Sequence, residues 1–270
     1  MTQHQPGTGP AVPPDAAPAA ATGPALAVHG LGLRIGGAQI LHDVTLEVAP
    51  GEMVGVIGPN GAGKTTLFNL VSGVLRPTSG SVHLAGRDVT GDPVARRARA
   101  GLGRTFQTSS VFPRLDVLEN VRLAAQTHLG HGLSVLRFPS RGDAATRRAV
   151  EHLTEVGLEH RLHVAAGDLS HGDKRKLEIA VLLATDPAVI LLDEPMAGVS
   201  SADVPGLSEV IRRLHRSGRT VLMVEHHMDV VLGLVDRVAV MHHGELLACD
   251  TPEKVMSDPT VQSAYLGDVA

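Results

Sequence analysis

From Leu26 onward, apolar and polar positions follow patterns that predict most of the elements of this chain. "LAVHGLGLRI" and "ILHDVTLEV" interleave apolar with other residues, which predicts two antiparallel strands. "EMVGVIG" is a short, nearly continuous apolar run closed by glycine, the pattern of a strand buried on both faces. A helix is expected from about Lys64 to Val74, and a strand over "SVHLA". The region from about Asp92 to Thr185 is mostly helical in pattern. It holds "VLENVRLAAQTHL", "ATRRAVEHLTEVGL" and a helix opened by Ser170-His171-Gly172. "AVILLD" and "TVLMVE" are two further buried runs, separated by an amphipathic helix over roughly Ala202 to Ser217. "RVAVMHHGELLACD" predicts a hairpin turning at His243-Gly244, and two short helices follow. Strands alternating with helices imply an α/β fold with a mostly parallel sheet. The helical block inserted between sheet strands implies a subdomain, about 92–185.

Residues 1–24 are Pro, Ala and Gly with almost no bulky apolar side chain. Such a segment buries too little surface to offset its ordering entropy, so a disordered tail is expected ahead of one domain over 25–270. The 270 residues are 43% hydrophobic, enough for a large core. A net charge of −4 argues against a nucleic-acid partner, which favours basic chains. One cysteine, Cys249, leaves no disulfide or Cys-based zinc site within the chain and suits a reducing compartment. No run approaches the length of a membrane span, and the N-terminus lacks the pattern of a signal peptide. Work at a membrane would then proceed from the cytosolic side, through partners.

"GPNGAGKT" follows a predicted strand and opens a predicted helix, the context a phosphate-binding loop requires. Within the run Gly58, Pro59, Asn60, Gly61, Ala62 and Gly63, the glycines let successive backbone N–H groups turn inward around phosphate oxygens, aided by the helix dipole. Lys64 would reach the phosphates as a point charge, and Thr65 would offer its hydroxyl to Mg²⁺, with Thr66 beside it. "VILLDEP" is a buried strand ending in two acids. Asp193 is placed to hold Mg²⁺ and Glu194 to polarise a water for attack on the γ-phosphate. "LSHGDKRKLEIA" opens a helix with Ser170 and Gly172, a good seat for an anion, yet no phosphate-handling residue flanks it. Gln107 in "RTFQ" and His226 in "MVEHHM" mean little in isolation.

Taken in order, these motifs resemble the nucleotide-binding subunit of ATP-binding-cassette (ABC) transporters, over nearly the whole chain from about residue 26. The resemblance makes 58–65 the Walker A loop, Gln107 the Q-loop, 169–173 the signature and 189–194 Walker B. "AGVSSAD" is then the D-loop and His226 the switch histidine. It implies a P-loop ABC-ATPase fold: a RecA-like, mostly parallel core sheet, an N-terminal antiparallel β-subdomain and an inserted α-helical subdomain. It also implies ATP and Mg²⁺ as ligands, with Gln107 joining Thr65 and Asp193 at the metal. Glu194, His226 and Gln107 become the catalytic residues. Two such subunits face head to tail, so Ser170 and Gly172 would hold the γ-phosphate of ATP seated on a partner's Walker A. Further implied partners are two transmembrane permeases and an extracytoplasmic substrate-binding protein, with this chain peripheral on the cytoplasmic face of the membrane. Several positions depart from the family pattern, among them Pro195 after Walker B and Ser200 and Ser201 in the D-loop. His171 and Asp173 replace the usual signature residues, and Ile35 stands where an aromatic would stack on adenine.

"RTFQTSSVFPRLDVLENV", "LLDEPMAGVS", "MVEHHMDVV" and "AYLG" are similar to the ATPases of bacterial branched-chain amino acid importers, the Liv type. Importers of urea and short amides share "LSHG". Exporters of lipid or polysaccharide, and soluble ABC ATPases, share the core motifs. These stand as alternatives on sequence alone.

Overall fold

The computed structural model describes residues 23–105, 111–130 and 143–266. Strand β1 (Leu26–Ile35) pairs antiparallel with β2 (Ala38–Val48), Leu26 facing Val48 and Ile35 facing Ala38. Their inward positions, among them Val28, Leu31, Leu41, Val44 and Leu46, are buried. Strand β3 (Met53–Ile57) follows, then helix α1 (Lys64–Ser72), which stops at Gly73 in the left-handed conformation. Strand β4 (Ser79–Leu84) joins the other edge of β1, and β5 (Arg87–Asp88) completes a four-stranded antiparallel sheet, β2-β1-β4-β5.

Helix α2 (Val94–Arg99) buries Arg97 completely. Its guanidinium donates to the carbonyls of Leu70 (2.6 Å) and Val71 (2.7 Å) in the last turn of α1. Strand β6 (Leu102–Arg104) comes next, then helices α3 (Val117–His128), α4 (Ala144–Glu155) and α5 (His171–Leu183). Side-chain oxygens cap all three: Asp116 accepts from the Glu119 N–H, Asp143 from Thr146 and Ser170 from Asp173. Strand β7 (Val189–Asp193), helix α6 (Val204–Arg216), strand β8 (Thr220–Val224) and the short helix α7 (Met228–Leu232) lead to the hairpin β9 (Arg237–His242) and β10 (Glu245–Asp250). Helices α8 (Pro252–Ser257) and α9 (Pro259–Leu266) follow.

The second sheet has the order β10-β9-β3-β8-β7-β6, parallel throughout except at β10. Every residue of β3, β7 and β8 is buried, because each face packs on its own core. Val54, Val56, Leu191 and Val224 meet α1 and the antiparallel sheet. Met53, Ile57, Ile190, Leu192 and Met223 meet the helical side. The near-continuous apolar runs in the sequence reflect this double burial.

The stretch 92–185 is not helical throughout. Strand β6 lies within it and extends the six-stranded sheet beyond β7, Leu102 facing Val189. Its three residues, "LGR", hold one apolar side chain, too few for any periodicity. Helix α7 was likewise not expected. The expectation for residues 1–24 falls almost wholly outside the described residues.

Candidate active site

Strand β3 delivers the phosphate loop to the C-terminal edge of the parallel sheet, where α/β folds bind ligands. Gly58 at the strand end has φ +151, and a Cβ there would lie 2.1 Å from the Met241 carbonyl oxygen. Only glycine fits so close to a neighbouring backbone. The hairpin turn of β9–β10 pins the loop from the same side. Gly244 donates its N–H to the Ala62 carbonyl (3.1 Å), and the His42 N–H bonds Gly244 (2.8 Å).

Lys64 is 5% exposed and folds back under the loop. Its ammonium donates to the carbonyls of Gly58 (2.7 Å) and Pro59 (2.8 Å). An ammonium has three donors, so one remains for a ligand. Burial pushes the Lys64 pKa down, opposed by the nearby Glu194 charge. A cavity of about 290 Å³ opens beside it, lined by residues 60–66 together with Ile40, Glu194 and His226. Gly58 and Pro59 shape the loop from beneath.

Asp193 ends β7 and is 1% exposed. Its Oδ2 accepts from the Arg104 guanidinium at 2.6 Å. Its Oδ1 is buried with no hydrogen-bond partner among the described residues. An orphaned carboxylate oxygen at this depth fits a cation ligand, since leaving it unpaired is costly. Glu194 has φ +47, a left-handed conformation that costs a residue with a Cβ about 1–2 kcal/mol. The turn is held by its N–H, which donates to the Val224 carbonyl (2.9 Å), and it swings the side chain over the cavity. There Glu194 Oε1 lies 2.9 Å from Nε2 of His226, which follows β8.

The structure thus brings Asn60–Thr66, Glu194 and His226 around one cavity, with Asp193 at the neighbouring strand tip. Ser170 and Gly172 do not line it. Ser170 caps α5, and Gly172 is packed so tightly that a Cβ would meet Asp203 Cβ at 2.7 Å. Ile35 sits at the end of β1, 55% exposed and outside the cavity lining. Gln107 lies outside the described residues.

Two residues at the site escaped the sequence reading. Ile40, on β2, lines the cavity where Ile35 does not. Arg104 ties together three elements. Besides Asp193 it donates to Asn69 Oδ1 (2.8 Å) and Ser72 Oγ (2.7 Å) on α1, with its guanidinium over the Phe68 ring. An isolated arginine three residues before Gln107 carries no signal of such a role.

Comparison with known proteins agrees with this geometry. Residues 41–197 match the family model for ABC transporters, and residues 245–270 match that for the branched-chain amino acid ATP-binding cassette transporter. The chain is 40% identical over 251 residues to the high-affinity branched-chain amino acid transport ATP-binding protein LivG of Escherichia coli K12, covering 91% of this chain and 98% of LivG. It is 38% identical over 251 residues, with the same coverage of each chain, to the corresponding protein BraF of Pseudomonas aeruginosa. Among solved structures, the ADP conformation of MJ1267, an ATP-binding cassette of an ABC transporter, superposes with a TM-score of 0.79 at 31% identity. That match covers 91% of this chain and all of MJ1267. No helix among the described residues is long and apolar enough to cross a membrane. The second family match lies outside the shared nucleotide-binding motifs and carries the narrower description, so neither the urea-type nor the exporter alternative is favoured. This chain belongs to the ABC transporter family, as an ATP-binding and ATP-hydrolysing subunit of the branched-chain amino acid importer type.

Proposed function

We propose that Glu194 is the general base of ATP hydrolysis in this subunit and that the hydrolysis energises uptake of branched-chain amino acids. The observation that carries the first part is the Glu194–His226 pair, which faces the cavity that Lys64 also borders. The backbone N–H groups of the phosphate loop and the ammonium of Lys64 hold the phosphates. Thr65 and Asp193 are the described residues suited to hold Mg²⁺, with Gln107 the third candidate; the ion would offset phosphate charge there. Glu194 takes the proton of the attacking water. His226 fixes the Glu194 carboxylate by the contact at 2.9 Å, and its own side chain, 42% exposed, lines the cavity.

Ser170 and Gly172 act in trans. Their position outside the cavity supports this reading, as does the exposure of Ser170 at a helix N-terminus. The mate is a second ATPase subunit, a paralogue or a second copy. The pair sits on the cytoplasmic face of the membrane, against two permease subunits served by an extracytoplasmic binding protein.

Reconstitution of the purified transporter in proteoliposomes tests the assignment. Leucine, isoleucine or valine, presented with the binding protein, should stimulate ATP hydrolysis and accumulate inside. Stimulation by urea or short amides instead would overturn the substrate reading. Ser170→Ala should slow hydrolysis at the mate's Walker A while leaving ATP affinity at this chain's own loop intact. Loss of binding at its own loop would overturn the trans assignment.

A further inference from the structure

We infer that Glu225, a fully buried carboxylate that does not line the cavity, is the positioning residue that holds Glu194 and His226 in register. The inference rests on the catalytic reading of that pair. Glu225 follows β8 and is 2% exposed. Both of its oxygens face backbone donors. Oε1 accepts the Met196 N–H at 2.6 Å. Oε2 accepts the N–H of His226 at 2.9 Å and that of His227 at 3.3 Å, and contacts His227 Nδ1 at 3.1 Å.

Met196 lies two residues beyond Glu194, and His226 is the next residue after Glu225. One side chain therefore joins the segment that carries the base to the segment that carries the histidine. A second stitch runs parallel to it, from the Glu194 N–H to the Val224 carbonyl at 2.9 Å. Between the two stitches Glu194 adopts its left-handed turn, φ +47. A strained turn persists only where its surroundings over-determine it. The carboxylate suits this place because it is acceptor-only at both oxygens. A glutamine would turn an NH₂ toward a backbone N–H on one side. An aspartate, one methylene shorter, would not span both segments. Neither oxygen is left for the nucleotide, so Glu225 acts through its neighbours.

The test compares Glu225→Gln and Glu225→Asp in the full chain, assembled in its purified transporter. Both should lower kcat by about 10²-fold, the scale of a misplacement near 1 Å, while KM for ATP stays unchanged. In the Glu194→Gln background, Glu225→Gln should add no further loss in single-turnover hydrolysis, because the group it positions is already gone. A structural role alone would lower activity by the same factor in both backgrounds, and that result would overturn the inference. So would a normal kcat in both Glu225 variants, or a loss of ATP affinity in both. The aspartate variant keeps the buried charge and carries the test if the amide does not fold. Near-normal turnover of Glu194→Gln would instead strike the catalytic reading itself, an outcome visible before any Glu225 variant is made.

Discussion

Nε2 of His226 and Oε1 of Glu194 lie 2.9 Å apart, although 32 residues separate them along the chain. They follow adjacent parallel strands, β8 and β7, whose in-register pairing ends with Asp193 facing Val224. Sheet geometry thereby fixes the proposed base beside its histidine partner. Glu194→Gln keeps the size of the side chain and removes the proposed base. ATP hydrolysis should fall by about 10²–10⁴-fold with ATP binding retained. Steady-state phosphate release and equilibrium nucleotide binding measure the two quantities.

The backbone of Glu194 supplies a separate prediction. Its φ of +47 is free of steric penalty only for glycine. Glu194→Gly should therefore stabilise the folded chain by about 1 kcal/mol while abolishing turnover. Thermal unfolding should shift upward by about 2–4 °C for a domain of this size. An unchanged or lower midpoint would show that the turn is not strained.

Arg104 and Asp193 form an ion pair whose side chains are 9% and 1% exposed. Arg104→Met would leave a buried carboxylate without its counter-charge. The expected loss is about 3–5 kcal/mol in urea unfolding. Arg104→Lys should not restore the stability. A single ammonium does not reproduce the planar fork that meets Asp193, Asn69 and Ser72 together.

Ile35 is exposed at the rim of the antiparallel sheet, so a larger ring there should not disturb a core. Base–aromatic stacking is worth about 1–3 kcal/mol, which Ile35 does not supply. Ile35→Tyr should tighten ATP by roughly tenfold and sharpen the preference for ATP over GTP. Unchanged affinity would place the base away from Ile35.

Glu155, at the end of α4, bonds Arg219, just before β8, and His152. Burial alone would raise the Glu155 pKa, but the hydrogen bonds from His152 and Arg219 outweigh it and hold the group below its usual 4.5. A carboxyl with a depressed pKa stabilises the fold above its unfolded value and loses that contribution as pH falls through the folded value. Arg219→Met should therefore cost about 1 kcal/mol at neutral pH. The difference from wild type should shrink in urea unfolding as pH falls through the depressed Glu155 pKa.

Local chemistry made much of this protein legible from sequence. "GPNGAGKT" reads as a phosphate cradle because the glycines, the lysine and the helix start lie within eight residues, and the cradle is built from that backbone. "VILLD" reads as a strand buried on both faces because five apolar or strand-end positions in a row have no solvent side to fill. Tertiary structure decided what depends on distant partners. "LGR" is a strand only because β7 offers its edge, and Ile40 rather than Ile35 borders the cavity because β2 runs past the phosphate loop. Arg104 reaches across 89 residues to Asp193, and Glu225 reaches across 29 to Met196. Periodicity reports which face of an element is buried. It carries no information about which buried polar group meets another, because that depends on strand order and register, set by packing of the whole sheet.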